Sequence, residues 1–403
     1  MASFIPYDLR RLIVSRRQSG NTYKEIQEEL GYSISGIRKI WYQYQKEGDS
    51  CFKTNYENCG SKSGYCQSVR DAVTIIRTGE QGAPFVYSML KVKYPDLPRP
   101  HIRTIQRWWE QQQVNRPKGR PSKSEKKKWS ETAHETWQID GKELVCLKSG
   151  EKVSWMNIGD EGTSAHLKAT VHPVPRVSKI DLRSATWAVN LSFKRYGLPS
   201  CIKIDNGQPF VNPNYRDIPT KAKLWWIGLG IEVIQNTPRV PQENGIVECL
   251  QGVCYRWTHP SQIETPKQLQ AQLDQISDFQ RNHYELPNQS YKTRIELYPK
   301  LEQNTRKYNP NKFNLKLVDQ FLTKQVWQRK TNQNGQLSFL DQKFSIGRAF
   351  KNQKVYISFE DIERQWVFRN DKGHLLKTSS KAVPTEEEIK NFAVMSKNFK
   401  GFL

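Results

Sequence analysis

The chain has 403 residues, enough for two to four domains that each bury a core of their own. It carries 63 Lys and Arg against 40 Asp and Glu, and its formal net charge of +23 favours a polyanionic partner, above all nucleic acid. Neither a run near the length of a membrane helix nor a lipidation motif or secretory signal is found, so we expect no membrane partner and a cytoplasmic location.

The cysteines predict neither a disulfide framework nor a zinc site. There are seven, an odd number scattered along a large chain. Cys51, Cys59 and Cys66 lie near one another in sequence, but no CxxC or His pair accompanies them. We expect ordinary free thiols.

Residues 1–50 have the pattern of a helix-turn-helix DNA-binding domain. A first helix is predicted over residues 7–19, and Thr22 with Glu25 predicts a capping box at the start of a second. Gly31 ends that helix, and Ser33 or Ser35 caps a third. Three polar residues of the third helix lie off its apolar face and are candidate DNA contacts, namely Ser35, Arg38 and Lys39. The alternative is a three-helix domain whose basic face is merely solvated.

Residues 63–114 repeat this helical pattern and predict a second helix-turn-helix domain. Helices are expected over residues 69–77 and 84–94, and a third carries Ile102, Ile105 and Trp109 at helical spacing. Arg103 and Arg107 lie off that apolar stripe and are candidate DNA contacts. Trp108 and Trp109 are expected in the core.

Residues 115–130 form a basic linker that contains the segment NRPKGRPSKSEKKK. Such charge runs are usually solvated, but between two DNA-binding parts this one is also suited to following phosphates or a minor groove. Arg116, Lys118 and Arg120 are therefore candidate DNA contacts.

From residue 131 the apolar period changes from that of helices to that of strands. Three successive strands are followed by alternating helix and strand, which predicts a mixed sheet with helices on its faces. The strands are predicted over residues 137–144, 153–159, 166–174, 201–204 and 231–234, and the helices over 179–196, 220–229 and 244–257.

Three acidic residues in distinct contexts are the candidate catalytic groups of this region. Asp140 lies inside the first strand, Asp205 ends a short buried strand, and Glu248 falls in the first turns of a helix. Each has a plain structural alternative. Asp140 would face solvent at a sheet edge, Asp205 would be a turn residue, and Glu243 rivals Glu248.

The contexts WQID, KIDNGQPF and PRVPQENGIVE together resemble the DDE catalytic core shared by retroviral integrases and bacterial insertion-sequence transposases. The resemblance implies an RNase H-like fold with a mixed five-stranded sheet over residues 131–300. It makes Asp140, Asp205 and Glu248 both the catalytic residues and the metal ligands, and prefers Glu248 to Glu243. Residues 279–299 resemble the segment that closes this core in bacterial members.

The family's chemistry is metal-dependent cleavage of transposon ends and strand transfer to target DNA. It implies two Mg²⁺ ions per active site, with Mn²⁺ able to substitute. The zinc domain of retroviral integrases is absent, so the bacterial, DNA-associated branch is the nearer relative. Asn206 and Asn244 fit family positions near bound DNA. The helix after Glu248 departs from the integrases, which use lysines there to hold DNA, and offers chiefly Arg256 as a candidate contact.

Residues 311–375 contain short strands that predict a small β-barrel, and residues 376–403 form a C-terminal tail. The implied fold class is therefore multidomain, with all-α helix-turn-helix modules, an α/β core and a small barrel. Expected partners are double-stranded DNA, as transposon ends and as target, a second copy in at least a dimer on DNA, and accessory transposition proteins. The alternatives are a DNA-binding regulator, in particular a catalytically silent domesticated transposase, and an RNase H-like nuclease.

Overall fold

In the computed structural model the described residues are 5–52, 64–112, 130–172, 180–212, 217–237 and 240–393. The chain divides into two compact units, Met1–Gln67 and Ser68–Leu403.

The first unit is a three-helix bundle with α1 (Tyr7–Gln18), α2 (Tyr23–Leu30) and α3 (Ile34–Glu47). The predicted capping box is present, because Thr22 and Glu25 each accept a hydrogen bond from the other's backbone N–H. Gly31 ends α2 at a φ of 71°, and Ser33 rather than Ser35 caps α3. Isoleucines from all three helices fill the core with no exposed surface: Ile13, Ile26 and Ile37.

The second unit begins with three further helices, α4 (Gln67–Ile76), α5 (Ala83–Lys93) and α6 (Ile102–Gln111). As predicted, Trp108 and Trp109 are buried. Both indole rings are covered by guanidinium groups, Arg70 lying 4.8 Å from the first ring centroid and Arg77 lying 4.0 Å from the second.

A five-stranded mixed sheet forms the centre of this unit. Its strands are β1 (Thr136–Cys146), β2 (Lys152–Asp160), β3 (Ala165–His172), β4 (Cys201–Ile204) and β5 (Glu232–Gln235), in the order β3-β2-β1-β4-β5. The first three strands are antiparallel, whereas β4 is parallel to β1 and β5 is parallel to β4. This is the sheet expected of an RNase H-like core. Because β1 is the central strand, the alternative that Asp140 sits on an exposed sheet edge is wrong.

Helices cover both faces of the sheet, as predicted. They are α7 (Leu182–Tyr196), α8 (Lys221–Gly228), α9 (Gly245–Thr258), α10 (Pro266–Asn282) and the short α11 (Arg294–Leu297). One apolar cluster joins α7 and α8 to Trp137 and Ile139, and another joins α9 and α10 to Val145 and Trp155. Helix α7 begins later than predicted, because the Asp181 side chain caps it by accepting a hydrogen bond from the backbone N–H of Ser184.

The C-terminal region contains helix α12 followed by six short strands and helix α13. Their bounds are α12 (Leu315–Thr323), β6 (Val326–Lys330), β7 (Gln336–Phe339), β8 (Gln342–Ser345), β9 (Lys354–Glu360), β10 (Gln365–Arg369), β11 (Leu375–Ser379) and α13 (Glu386–Ala393).

These strands do not form the closed ring that the barrel prediction requires. Four of them pair in the order β11-β10-β9-β6, and β7 pairs with β8 as a separate hairpin. Aromatic side chains hold the hairpin to the four-stranded sheet, with the Phe339 ring centroid 5.0 Å from that of Trp366 and Phe344 5.1 Å from Phe368. The hairpin is joined to the sheet by side-chain packing where a barrel would continue its backbone hydrogen bonds.

In the described part of the chain, no helix combines the length and the hydropathy needed to cross a membrane. The six cysteines of that part are free thiols, and the seventh, Cys59, lies outside the described residues.

Candidate active site

Asp140 within β1 and Asp205 directly after β4 lie at the same level of the sheet. Strands β1 and β4 are parallel, and Ile139 is the register partner of Ile204. Each aspartate follows its isoleucine by one residue. Since side chains alternate between sheet faces, both carboxylates lie on the face opposite the two buried isoleucines.

A tight turn after Asp205 fixes that carboxylate and explains the Asn-Gly that follows. A Cβ on Gly207 would lie 2.7 Å from Oδ2 of Asp205, so only glycine leaves room for the carboxylate there. The Asn206 side-chain amide donates to the backbone oxygen of Asn236 at 2.6 Å. Asn236 in turn follows β5, so the ends of the two adjacent parallel strands β4 and β5 are tied together.

Glu248 is exposed in the first turn of α9, and α9 is fixed to the sheet through Gln138. The Gln138 side chain is 1% exposed, donates to the backbone oxygen of Glu243 at 3.2 Å and accepts from the backbone N–H of Val247 at 3.1 Å. Gln138 precedes Asp140 by two residues and shares its sheet face. One strand therefore both carries Asp140 and holds the helix start that carries Glu248.

Close packing of α9 on the sheet depends on a glycine opposite Gln138. Gly159 on β2 is the register partner of Gln138. A Cβ on Gly159 would lie 2.5 Å from Cδ1 of Leu250, which is buried on α9. A larger residue at 159 would displace the Leu250 side chain from its place between α9 and the sheet.

Asp140 is oriented by two hydrogen bonds. Its Oδ1 accepts from the backbone N–H of Gly141 at 2.9 Å, and its Oδ2 accepts from the Gln251 amide at 3.2 Å. Gln251 lies one helical turn beyond Glu248, on the same side of α9. Helix α9 thus contributes a carboxylate and a group that orients the neighbouring carboxylate.

The electrostatics of the site show mutual repulsion among its acids. Burial, followed by the negative charges of Asp205 and Glu248, raises the pKa of Asp140 to about 6 against the opposing hydrogen bonds from Gly141 and Gln251. Burial also raises the pKa of Asp205, with a further contribution from the charge of Glu143 and an opposing hydrogen bond from Gly207. The pocket therefore favours a bound cation or proton.

The structure gives Glu243 a different role from Glu248. The Glu243 carboxylate accepts hydrogen bonds from the backbone N–H of Thr237 at 2.6 Å and from its hydroxyl at 3.1 Å. Glu243 therefore closes the loop that leads into α9. Glu248 makes no such loop contact among the described residues, and its charge is felt by Asp140.

The donor set suits a divalent cation of the magnesium type. Mg²⁺ prefers carboxylate oxygens, and Asp140, Asp205 and Glu248 offer them. In the described part of the chain no three His, Cys, Asp or Glu side chains are gathered closely enough to hold a metal ion. The three acids match the cation in chemistry and charge, whereas their side chains do not form a closed ligand cage.

Of the predicted DNA contacts that the structure describes, five are exposed and three are not, namely Asn206, Asn244 and Arg256. Ser35, Arg38 and Lys39 are exposed on α3, as are Arg103 and Arg107 on α6. Arg116, Lys118 and Arg120 lie outside the described residues.

Asn244 and Arg256 were predicted to lie near DNA, and the structure places both against the protein. Asn244 is 6% exposed at the start of α9, and its side-chain oxygen finds no hydrogen-bond partner among the described residues. Arg256 is half-buried, with a guanidinium nitrogen 3.2 Å from the position of a Cβ on Gly252. Sequence alone did not indicate Gln138 or Gln251, although strand alternation from Asp140 and helical spacing from Glu248 point to them.

No protein-family model and no curated protein matches the sequence. Retroviral integrases are among the solved structures that the fold resembles. The catalytic core of BIV integrase is 16% identical, covers 42% of this chain and 97% of its own, and has a TM-score of 0.31. The HTLV-2 integrase catalytic core in complex with magnesium is 16% identical, covers 40% of this chain and 94% of its own, and has a TM-score of 0.30.

A larger part of the chain is spanned by a third structure, the simian T-cell lymphotropic virus intasome in complex with PP2A regulatory subunit B56 gamma. It is 14% identical, covers 73% of this chain and 95% of its own, and has a TM-score of 0.34. At such low identity and TM-score these likenesses establish no activity for this chain.

Proposed function

We propose that this chain is a DDE-type DNA transposase. It binds transposon ends, cleaves them to expose 3′-hydroxyls and joins these to target DNA. The supporting observation is the in-register placement of Asp140 within β1 and Asp205 at the end of β4, with Glu248 on a helix that Gln138 fixes to β1. A structural acid cluster would not require this convergence of two neighbouring strands and a helix start.

Each residue has a defined task in this proposal. Asp140, Asp205 and Glu248 would hold two Mg²⁺ ions, for which Mn²⁺ could substitute. Bound there, such ions would supply activation of the attacking oxygen and stabilisation of the leaving oxygen in an in-line displacement. Gln251 keeps the Asp140 carboxylate in one orientation through its hydrogen bond to Oδ2. Gln138 sets the position of Glu248 through the backbone of α9.

The reaction requires no nucleophilic side chain. The attacking oxygen is that of water in end cleavage and that of a DNA 3′-hydroxyl in strand transfer, so one set of carboxylates serves both reactions. In each step an oxygen–phosphorus bond forms as another breaks, and the leaving oxygen departs with the released DNA strand.

Recognition of DNA belongs to the helical units in this proposal. Helix α3 presents Ser35, Arg38 and Lys39, and α6 presents Arg103 and Arg107, as the recognition helices of two helix-turn-helix modules. The basic linker and the C-terminal strands, as a barrel-like domain, add contacts to DNA or to a second copy. Two ends must be paired, so the active form is at least a dimer on DNA, in the bacterial cytoplasm and with accessory transposition proteins.

The test is incubation of the pure protein with labelled DNA carrying the ends of its element, with and without Mg²⁺. We expect metal-dependent nicks at the 3′ ends and products joined to a target plasmid. Specific binding without either product would contradict the proposal and favour a catalytically silent regulator.

A further inference from the structure

Helices α4, α5 and α6, which we call the second helical unit, are docked on the catalytic core through a buried carboxylate. Glu285, just beyond α10, has a side chain only 5% exposed. It forms ion pairs with Lys91 of α5 at 2.9 Å and with Arg99 at 3.0 Å. Its backbone N–H also donates to the buried Ser88 hydroxyl on α5 at 3.0 Å. A carboxylate so far removed from water is stable only while its partners stay in place.

Aromatic packing supports the same contact. The Phe85 ring of α5 lies 4.6 Å from the Trp257 ring of α9 and 5.1 Å from the Phe279 ring of α10, centroid to centroid. Tyr87 lies 5.4 Å from Tyr291 in the same way. Such rings contribute apolar burial together with a preferred geometry, so they favour one docked arrangement over sliding.

The turn at Gly79 also fits closely against His259. Gln81 hydrogen-bonds the His259 ring at 3.0 Å, and a Cβ on Gly79 would lie 2.2 Å from a carbon of that ring. Residues 79–81 form the turn between α4 and α5, and His259 follows α9. The turn is therefore shaped to the end of the helix that carries Glu248.

Helix α9 carries both Glu248 and Trp257, the residue that packs against α5. Glu248 and Trp257 are nine residues apart on α9, which is roughly 14 Å along a helix axis. At the other side of the contact, the His101 ring at the start of α6 hydrogen-bonds the Tyr291 hydroxyl at 3.2 Å. Helix α6, with exposed Arg103 and Arg107, is thus held at a fixed position relative to the three acids.

We propose that this docking, held by Glu285, sets the distance between the DNA sequence bound by α6 and the phosphate that is cut. The inference rests on the proposed function, because it assigns a cleavage position to that same site. If α6 were joined to the core only by a flexible segment, it would bind the end DNA equally well, but several phosphates could reach the acids. With α6 docked, only one phosphate reaches them.

The experiment compares the full-length protein with Glu285→Gln and with Glu302→Gln. The control makes the same chemical change at another ion pair, that of Glu302 with Arg195 at 2.8 Å. Hydrogen exchange of Ala83–Lys93 is measured without DNA, and nick positions on end DNA are mapped at single-nucleotide resolution with Mg²⁺. We expect Glu285→Gln to exchange about tenfold faster or more in this helix, since its docking contact is lost.

The expected cleavage result is one nick position for the wild type and for Glu302→Gln, and several neighbouring positions for Glu285→Gln at unchanged DNA affinity. A loosened helix with an unchanged single nick would overturn the inference and leave the proposed function standing. Unchanged exchange in Glu285→Gln would also overturn it. A wild type that makes no nick would overturn both. Protection of α5 that disappears on dilution would mean that the docked helix comes from a second copy, which contradicts docking within one chain.

Discussion

At the scale of single residues, the carboxyl of Asp140 is the most informative group. Its pKa is raised from 3.8 to about 6, first by burial and then by the charge of Asp205. A carboxyl whose folded-state pKa exceeds its unfolded value favours folding at low pH, and this contribution is lost as the pH rises through about 6. Ionised Asp140 therefore costs stability at neutral pH in the metal-free protein.

Asp140→Asn should consequently stabilise the metal-free protein at pH 7 by about 1 to 2 kcal/mol, a value reduced from the full shift because the site is partly solvated. At pH 3, below the unfolded-state pKa of 3.8, the difference should vanish. Denaturant unfolding at both pH values measures it, with exposed Asp361→Asn as the control. An equal effect of Asp140→Asn at both pH values would show that ionisation of this carboxyl is not the cause.

Glu243 and Glu248 form a matched pair for a second residue-scale prediction. Glu248→Gln should abolish Mg²⁺-dependent nicking, because a carboxylate ligand is lost. Glu243→Gln should retain nicking, because its side chain only closes the loop at Thr237 and an amide oxygen can still accept those hydrogen bonds. Nicking assays at saturating Mg²⁺ decide between them, and the reverse pattern would assign the catalytic role to Glu243.

The sequence could predict the acids but not their surroundings. Asp140, Asp205 and Glu248 stand in recognisable contexts, and the strand-end position of Asp205 follows from a short apolar run. Gln138 forms its hydrogen bonds to residues more than a hundred positions away. Asn244 and Arg256 are candidate DNA contacts close to Glu248 in sequence, and the burial of Asn244 depends on how α9 packs, which no local pattern shows.

At the scale of elements, α9 is held to β1 by side-chain hydrogen bonds, and this predicts the effect of Gln138→Met. The change keeps the shape of the side chain but removes both hydrogen bonds to the start of α9. We expect nicking to slow by about 10- to 100-fold, with a higher Mg²⁺ requirement and unchanged DNA binding.

Gln280→Met is the matched control for that prediction. Gln280 is also buried, and it likewise bonds two backbone groups, those of His166 and Ser164, but on α10 rather than on the catalytic helix. It should lose comparable stability while its Mg²⁺ requirement stays at the wild-type value. An equal rise in the Mg²⁺ requirement of both variants would reduce Gln138 to a structural residue.

Elements with strong local signals were predicted well. The capping box at Thr22 and the glycine after α2 fixed helix ends, because these signals act within one turn. Strand β4 was predicted over its observed residues from a four-residue apolar run. The barrel was not confirmed. The strands β6 to β11 do not pair in one ring, because β7 and β8 pair with each other rather than with the sheet, and local sequence does not determine which strands pair.

At the scale of the whole molecule, the net charge of +23 predicts steep salt dependence of DNA binding. Affinity for end DNA should fall by roughly a thousandfold between about 50 and 200 mM salt, as counterions are released from the phosphates. Replacing Arg116, Lys118 and Arg120 with Gln should reduce the log–log slope by about 2 to 3 if the linker follows the backbone. Fluorescence anisotropy titrations measure both slopes, and an unchanged slope would exclude the linker from the DNA footprint.

The contact between the second helical unit and the core was beyond prediction from sequence. Lys91 and Arg99 are separated from Glu285 by nearly half the chain. Burial of Glu285 follows only from the tertiary arrangement, in which α5 packs its Phe85 ring against aromatic side chains of α9 and α10.

The central claim is that Asp140, Asp205 and Glu248 form one metal-dependent site for DNA strand transfer. The most direct measurement is strand transfer of a pre-cut end into a target plasmid by the wild type and by Asp140→Ala, Asp205→Ala and Glu248→Ala, with end binding measured in parallel. We predict joined products from the wild type with Mg²⁺, none from the three variants, and end binding retained by all. Full strand transfer by any one of the variants would contradict the claim for that residue, and none from the wild type would contradict it altogether.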